Sequence, residues 1–197
     1  MLKDKTLTYI SLFSSAGVGC FGFKQAGFEC IATNEIIERR ISVQKFNSKC
    51  KYETGYICED ITLQDTKYKI LNEITRWKKI GNDRVDVLIA TPPCQGMSVA
   101  NHKKAENEIE RNSLVVESIQ IINEIRPRFF IFENVSAFMK TGCTAPDGSI
   151  KEIGTVIDEE LSSNYVISSR VLNFKNYGSN SSRTRTFRHK YQYLFGW

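Results

Sequence analysis

The sequence predicts an α/β fold, with a mostly parallel sheet covered by helices on both faces. The main observation is that short apolar runs alternate along the chain with amphipathic stretches of helical spacing. One run, residues 85–90 (VDVLIA), stops at Pro92 and Pro93, which cannot continue a strand. With 197 residues, of which 41% are hydrophobic and 25% charged, the chain fits one such domain, which is predicted to span residues 1–197.

The individual elements follow from the same patterns. Apolar runs of strand length predict strands at residues 7–13, 28–34, 56–58, 85–90, 129–132 and 165–172. Helical spacing predicts helices in the stretch that ends at Gly27 and at residues 36–46, 63–77, 112–125 and 150–163. Pro127 ends the helix at 112–125, and segments 47–56 and 140–149 are predicted to be loops.

The composition and the cysteine spacing exclude several classes of protein. No apolar run approaches the roughly 20 residues that cross a bilayer, and we expect no signal segment. The six cysteines form no C-x-x-C pair, so we expect no metal site and reduced thiols in a cytoplasmic protein. A net charge of +5 permits a polyanionic partner without requiring one.

A glycine-rich turn follows the first predicted strand. Gly17, Gly19 and Gly22 match the spacing G-x-G-x-x-G, which lets backbone amides approach a ligand at a helix N-terminus. Glu35 ends the second predicted strand, where a carboxylate can hold ribose hydroxyls. Asp60, after the third, could accept a hydrogen bond from an adenine amino group. The pattern fits a nicotinamide cofactor, S-adenosylmethionine or a purely structural turn.

A cysteine and a glutamate stand at the ends of two further predicted strands. Cys94 follows two prolines that stiffen the backbone, and a thiolate presented at the ligand edge of a sheet is nucleophilic. Glu133 follows the apolar run 129–132, where a partly desolvated carboxyl group could donate a proton to a substrate ring nitrogen. A buried inert thiol and a salt-bridged glutamate are the alternative interpretations.

A basic segment lies towards the end of the sequence. Arg183 and Arg185 are two residues apart, so in a strand they would share one face. Such a pair suits contacts to carboxylates, phosphates or a base carbonyl. A solvated basic strand is the alternative, unless the other clusters converge on this segment.

Taken together, these four clusters resemble the DNA (cytosine-5)-methyltransferase family over residues 7–187. The specific parts are PPCQGMS at residues 92–98 and ENV at residues 133–135. The resemblance implies a Rossmann-like methyltransferase fold that uses S-adenosyl-L-methionine as methyl donor. It carries the family's cofactor contacts onto nine residues of this chain: Phe13, Ala16, Gly17, Gly19, Glu35, Ile36, Asp60, Ile61 and Pro93.

The resemblance also implies a mechanism. Cys94 would attack carbon 6 of cytosine, and carbon 5 would then take the methyl group. Glu133 would bond ring nitrogen 3 and the exocyclic amine, while Arg185 would hold the base carbonyl and Arg183 would help to position the site. A base inside a duplex must be flipped out to reach the cysteine. Contacts to DNA are expected from Gln95, Ser98, Lys103 and Lys104.

The sequence departs from the family pattern in two respects. Ser181 stands where the family usually has a glutamine before the paired arginines. No segment matches the family's target-recognition region, so we expect a second polypeptide to supply it. A truncated form, and a chain that uses a different partner, are the alternatives.

The expected function is therefore methylation of cytosine in double-stranded DNA within a restriction–modification system, in a prokaryotic cytoplasm and close to the nucleoid. One alternative is RNA (tRNA) cytosine-5 methylation, because a tRNA-modifying branch shares the motifs. A second is a catalytically incompetent domain that only binds cofactor. A third, a nicotinamide-dependent oxidoreductase, rests on the glycine spacing alone and leaves PPCQ and ENV unexplained.

Overall fold

The computed structural model describes residues 6–93 and 112–192, with side chains up to His189. Within these limits the chain forms two compact units, which divide it near the end of the fourth strand. Five of the predicted site residues lie outside the described residues: Cys94, Gln95, Ser98, Lys103 and Lys104.

The first unit comprises Met1–Ala90 and Glu124–Phe129. Its strands are β1 (Thr8–Leu12), β2 (Glu29–Asn34), β3 (Tyr56–Ile57) and β4 (Val87–Ala90). Its helices are α1 (Phe21–Gln25), α2 (Glu38–Phe46) and α3 (Gln64–Lys79). Strand β1 pairs in parallel with β2 and β4, and β2 pairs in parallel with β3, so the carboxyl ends of these strands meet at one edge.

Burial of apolar side chains explains why these segments adopt regular structure. All residues of β1 and β4 are buried. Helix α3 buries Ile70, Ile74 and Trp77, which recur at the spacing of one helix face, and its charged residues lie mostly on the opposite face. Each such side chain contributes about 1.5–3 kcal/mol when fully buried.

The second unit comprises Thr91–Asn123 and Phe130–Trp197. Seven elements lie wholly or mainly in it: α4 (Leu114–Ile125), β5 (Phe129–Asn134), β6 (Gly142–Thr144), β7 (Ile150–Glu152), α5 (Ile153–Leu161), β8 (Tyr165–Asn173) and β9 (Thr184–Gln192). Edge-on ring contacts join Phe130 to Phe132 and to Tyr165, with centroids 5.6 and 5.1 Å apart. These aromatic rings fix β5 within the core of the unit.

Seven strands form one sheet in the order β3-β2-β1-β4-β5-β9-β8. Strands β8 and β9 pair antiparallel, as do β6 and β7 in a separate two-stranded sheet, whereas the pairs in the first unit are parallel. The predicted α/β fold with a mostly parallel sheet is confirmed.

The segment between β5 and α5 differs from the prediction. Residues 140–149 were expected to form a loop and residues 150–163 a helix, but 142–144 pair with 150–152 and the helix begins only at Ile153. The turn between the two strands holds Asp147 and Gly148, with Ser149 N donating to Asp147 Oδ1 at 3.0 Å and Gly148 at φ 81°. Asp-Gly between two short strands is a hairpin signal, and it outweighs the helical spacing of residues 150–152.

None of the helices in the described ranges has the length and apolar character needed to span a membrane.

Candidate active site

The chain leaves β1 through a turn with three left-handed residues. Phe13, Ser15 and Gly17 have φ angles of 53°, 49° and 84°. A residue with a Cβ pays roughly 1–2 kcal/mol in this region, so Phe13 and Ser15 persist only because their surroundings hold them. A Cβ on Gly17 would lie 3.1 Å from Cγ of Gln44, so the turn has little room for a side chain there. Such conformations cluster at ligand sites, which makes this turn a candidate.

Hydrogen bonds fasten this turn to the end of β2. The backbone N of Ser14 donates to the carbonyl O of Asn34 at 2.9 Å, and Ser14 Oγ donates to the same oxygen at 3.0 Å. The backbone N of Ser15 donates to Glu35 Oε2 at 2.9 Å. The glycine-rich turn and Glu35, which are separate features of the sequence, are therefore joined in the first unit.

Glu35 is a buried carboxylate, with 5% of its surface exposed. Besides Ser15 N, it accepts a hydrogen bond from Ile37 N at 3.0 Å, and Arg40 Nη1 lies 3.3 and 3.4 Å from its two oxygens. These donors offset the cost of burying the charge. A carboxylate has about four acceptor positions, so these four contacts use them, and a ligand hydroxyl would have to replace the contacts from Arg40, which are the longest of the four. Sequence reasoning missed Arg40, which α2 brings back to the carboxylate five residues later.

The remaining cofactor candidates of the first unit surround the carboxyl ends of β2 and β3. Asp60 Oδ1 accepts hydrogen bonds from Thr62 N at 2.9 Å and Thr62 Oγ1 at 2.8 Å, which leaves Oδ2 for another donor. Ile61 is buried at 3% exposure, whereas Ile36 exposes 61% of its surface. The exposed apolar side chain of Ile36, directly after Glu35 in sequence, suits a purine ring, whereas Ile61 supports the site from within the core.

In the second unit, the turn after β4 is held by Asn134. Its Nδ2 donates to the carbonyl O of Pro92 at 2.9 Å, and its Oδ1 accepts from Val135 N at 2.9 Å. Asn134 is buried, so both halves of its amide are satisfied inside the protein. The bond fixes the Pro92–Pro93 turn that leads into Cys94. Sequence reasoning recorded ENV as a motif but assigned no role to its asparagine.

Glu133 and Arg185 form an ion pair. Arg185 Nε lies 3.2 Å from Glu133 Oε1, and the two side chains are 17% and 23% exposed respectively. Arg185 Nη1 also donates to the carbonyl O of Thr184 at 2.7 Å. The structure therefore brings together two of the sequence-predicted catalytic residues, one from the end of β5 and one from the start of β9.

Arg183 differs from the prediction that the two arginines share a strand face. It lies one residue before β9, is exposed, and donates its backbone N to Ser181 Oγ at 3.2 Å. Its backbone O accepts from Phe174 N at 2.9 Å. Arg183 therefore belongs to the turn before the strand. Within the described residues, its guanidinium forms no ion pair.

Four of the five described thiols belong to core residues, and the fifth, Cys58, is half-buried. Cys20, Cys30, Cys50 and Cys143 are buried and free. Burial raises the pKa of Cys143 to about 11 and also raises the pKa of Cys20. The thiols of Cys143 and Cys20 therefore stay neutral near pH 7 and are poor nucleophiles. No group of three or more potential metal-ligating side chains occurs among residues 6–93 and 112–192.

The predicted site residues divide between the two units. The first contains Phe13, Ala16, Gly17, Gly19, Glu35, Ile36, Asp60 and Ile61, and the second contains Pro93, Glu133, Arg183 and Arg185. The first set has features of a nucleoside-binding site. The second set contains the Glu133–Arg185 ion pair and Pro93 of the turn that Asn134 holds.

Comparison with known proteins identifies the family of the chain. The family model for C-5 cytosine-specific DNA methylases matches residues 7–192. The type II methyltransferase M1.HgaI of Avibacterium volantium is 32% identical over 185 residues, which are 92% of this chain and 49% of that protein. M.XorII of Xanthomonas oryzae pv. oryzae is 32% identical over 180 residues, 89% of this chain and 38% of that protein. The chain thus spans about half or less of these relatives.

Solved structures agree at the level of the fold. A protein described as a DNA modification methyltransferase encoded within an E. coli prophage superposes with a TM-score of 0.69 and 26% identity, over 95% of this chain and 47% of that chain. A mutant of Spodoptera frugiperda DNMT2 superposes with a TM-score of 0.68 and 20% identity, over 98% and 52% of the two chains. At that identity, the second match is evidence for the fold alone.

Proposed function

Because the chain belongs to the family of C-5 cytosine-specific DNA methylases, we propose that it is the catalytic part of an enzyme that methylates carbon 5 of cytosine in DNA. The observation that carries this proposal is the ion pair between Glu133 and Arg185, at 3.2 Å. It joins residues of two neighbouring strands, β5 and β9, and so brings two of the sequence motifs together. A carboxylate and a guanidinium side by side can read the nitrogen edge and the carbonyl of a pyrimidine.

The first unit fits S-adenosyl-L-methionine. Gly17 allows the left-handed conformation of the turn, Glu35 could accept from ribose hydroxyls in place of Arg40, and Asp60 has a carboxylate oxygen for an amino group. The exposed side chain of Ile36 would pack against the adenine ring. We also assign Phe13, Ala16, Gly19, Ile61 and Pro93 to the cofactor-binding site. When bound, the cofactor would supply an electrophilic methyl group from its sulfonium centre.

The residues of the second unit would act on the base. The Cys94 thiolate would add to carbon 6 and so make carbon 5 nucleophilic, because aromaticity is lost. Glu133 would hydrogen-bond ring nitrogen 3 and the exocyclic amine, where charge changes during addition. Arg185 would hold both the carboxylate and the base carbonyl, while Arg183 would contact the substrate from the preceding turn. Loss of the proton from carbon 5 and release of Cys94 would complete the reaction.

The substrate of the whole enzyme would be duplex DNA with the target cytosine turned out of the helix, at a cost of a few kcal/mol. We propose that Gln95 contacts DNA at the start of a loop that closes over the base, and that Ser98, Lys103 and Lys104 contact the DNA backbone. A further region or second polypeptide would read the target sequence, within a restriction–modification system of a prokaryotic cytoplasm. The relatives named above are type II methyltransferases, which supports this setting.

The proposal is tested by methyl transfer from tritiated S-adenosylmethionine. The chain is incubated with duplex DNA or with tRNA, alone and with the protein of the neighbouring reading frame. We expect label on carbon 5 of cytosine in DNA. Label confined to tRNA would favour RNA methylation instead. If the chain binds the cofactor but transfers no label to DNA or tRNA, with or without the neighbouring protein, it would be a catalytically incompetent domain.

Replacing Asn134 with alanine should lower kcat by about 10- to 100-fold, because small displacements of a reacting group have effects of this size. The change removes the 2.9 Å hydrogen bond to Pro92 and frees the turn that leads into Cys94. The Kd for S-adenosylmethionine should change much less than kcat, since Pro93 is the one proposed cofactor residue in this turn and the others lie in the first unit. Steady-state kinetics and calorimetry measure the two quantities. The control is Asn164→Ala, in the turn after α5, and an Asn134→Ala enzyme with normal kcat would refute the positioning role.

A further inference from the structure

We propose that Gln44 is a positioning residue which sets the shape of the turn at residues 13–17 and thereby the affinity for S-adenosylmethionine. This inference rests on the proposed function and names a residue that the family motifs in the sequence did not indicate. Gln44 lies in α2 and is 1% exposed, although its side chain is polar. A buried amide of this kind requires partners, and its partners are in the turn.

The hydrogen-bond partners of the Gln44 side chain determine which way its amide group is oriented. Lys49 Nζ donates to Thr33 Oγ1 at 2.9 Å, so the Thr33 hydroxyl must use its own proton elsewhere. Gln44 Oε1 lies 2.7 Å from Thr33 Oγ1 and can accept that proton. Ser14 Oγ, also 2.7 Å from Thr33 Oγ1, is the other possible acceptor of that proton, so the Ser15 carbonyl decides the orientation: only Nε2 can donate to it, and the amide oxygen then faces Thr33.

Both Nε2 protons have acceptors in the turn. Gln44 Nε2 lies 2.9 Å from Ser14 Oγ and 2.5 Å from the carbonyl O of Ser15. Ser14 Oγ donates its own proton to Asn34 O and so accepts from Gln44. Every polar atom of this buried set then has a partner, and reversing the amide would place its oxygen against the Ser15 carbonyl.

The position of Ser15 explains why the amide matters for ligand binding. Ser15 has φ 49°, an unfavourable conformation for a residue with a Cβ. Its N–H is held by Glu35 and its C=O by Gln44, so the peptide units on both sides are fixed. The aliphatic part of Gln44 also packs where a Cβ of Gly17 would lie, at 3.1 Å. Gln44 thus connects the strained turn to α2, the helix that also carries Arg40.

The test compares Gln44→Met, which keeps the length of the side chain and removes the amide, with the exposed control Gln25→Met in α1. Calorimetry with S-adenosylmethionine should give a Kd raised about 10-fold for Gln44→Met, because two hydrogen bonds to the turn are lost, and an unchanged Kd for the control. In methyl transfer, the KM for the cofactor should rise while kcat stays the same, a split that general destabilisation would not produce.

A second variant keeps the inference testable if Gln44→Met does not fold. Thr33→Val removes the hydroxyl that lies within hydrogen-bond distance of the amide oxygen and of Ser14 Oγ, and should raise the Kd about 3-fold. Circular dichroism and thermal unfolding identify the temperature at which each variant is folded. If the unmodified chain binds no S-adenosylmethionine, the proposed function itself fails. If it binds, and the folded Gln44→Met or Thr33→Val variant binds equally well, the role of Gln44 is refuted.

Discussion

Replacing Cys94 with alanine is expected to lower kcat for cytosine methylation by about 10⁴-fold or more, because no other group can form the bond to carbon 6. Affinity for S-adenosylmethionine should stay within about two-fold of the unmodified protein, since the residues proposed to hold the cofactor are unchanged. Single-turnover methyl transfer measures the first quantity and calorimetry the second.

A trapping experiment makes the Cys94 prediction specific for bond formation. Duplex DNA that carries 5-fluorocytosine at the target has no proton on carbon 5 to lose, so the adduct with the cysteine should persist and survive denaturing electrophoresis. The matched control is Cys58→Ala, which removes a half-buried thiol at the end of β3 and should trap normally. Persistent methylation by Cys94→Ala would exclude the proposed mechanism.

Replacing Glu133 with glutamine is expected to lower kcat by about 10²- to 10³-fold, through loss of proton transfer and of charge stabilisation at the ring nitrogen. The substitution keeps the size of the side chain but removes the charge that pairs with Arg185 at 3.2 Å. The Kd for S-adenosylmethionine should not change. Pre-steady-state methyl transfer, which separates chemistry from product release, measures the effect.

The double variant Glu133→Gln with Arg185→Met tests whether the two residues act as one unit. If the ion pair orients the carboxylate, the losses should not add, and the double variant should be about as slow as the slower single variant. Arg183→Met should have a smaller effect than Arg185→Met, because Arg183 lies outside the pair. Arg170→Met, on the exposed face of β8, is the control. Fully additive losses would show that Glu133 and Arg185 act independently.

The sequence predicts the strands and the motif positions well, because both depend on local patterns. Each of the runs at 7–13, 28–34 and 85–90 contains a strand of the sheet, and Glu35 ends up beside the turn after β1. Apolar runs and strand ends are properties of short segments, and parallel pairing then gathers the strand ends at one edge.

Contacts between distant segments could not be predicted in the same way. The pairing of Glu133 with Arg185, the bond from Asn134 to Pro92 and the amide network of Gln44 each join residues far apart in sequence. A glutamine in a helix of mixed polarity gives no sign of burial, because its partners are defined only once α2 packs beside the turn. The hairpin at 142–152 differs from the prediction for another reason: its Asp-Gly turn signal is present in the sequence, but the helical spacing that starts at residue 150 conceals the second strand.

The ion pair of Glu133 and Arg185 is held in place before any base binds. Both side chains stand on strands, and β9 is further anchored where Arg188 contacts Met139 and Asp158. The conformational entropy of these side chains is lost when the protein folds, and not when the substrate arrives. A pyrimidine entering this site would meet preorganised groups, so discrimination between bases would depend on the fixed spacing of donors and acceptors and little on rearrangement of the protein.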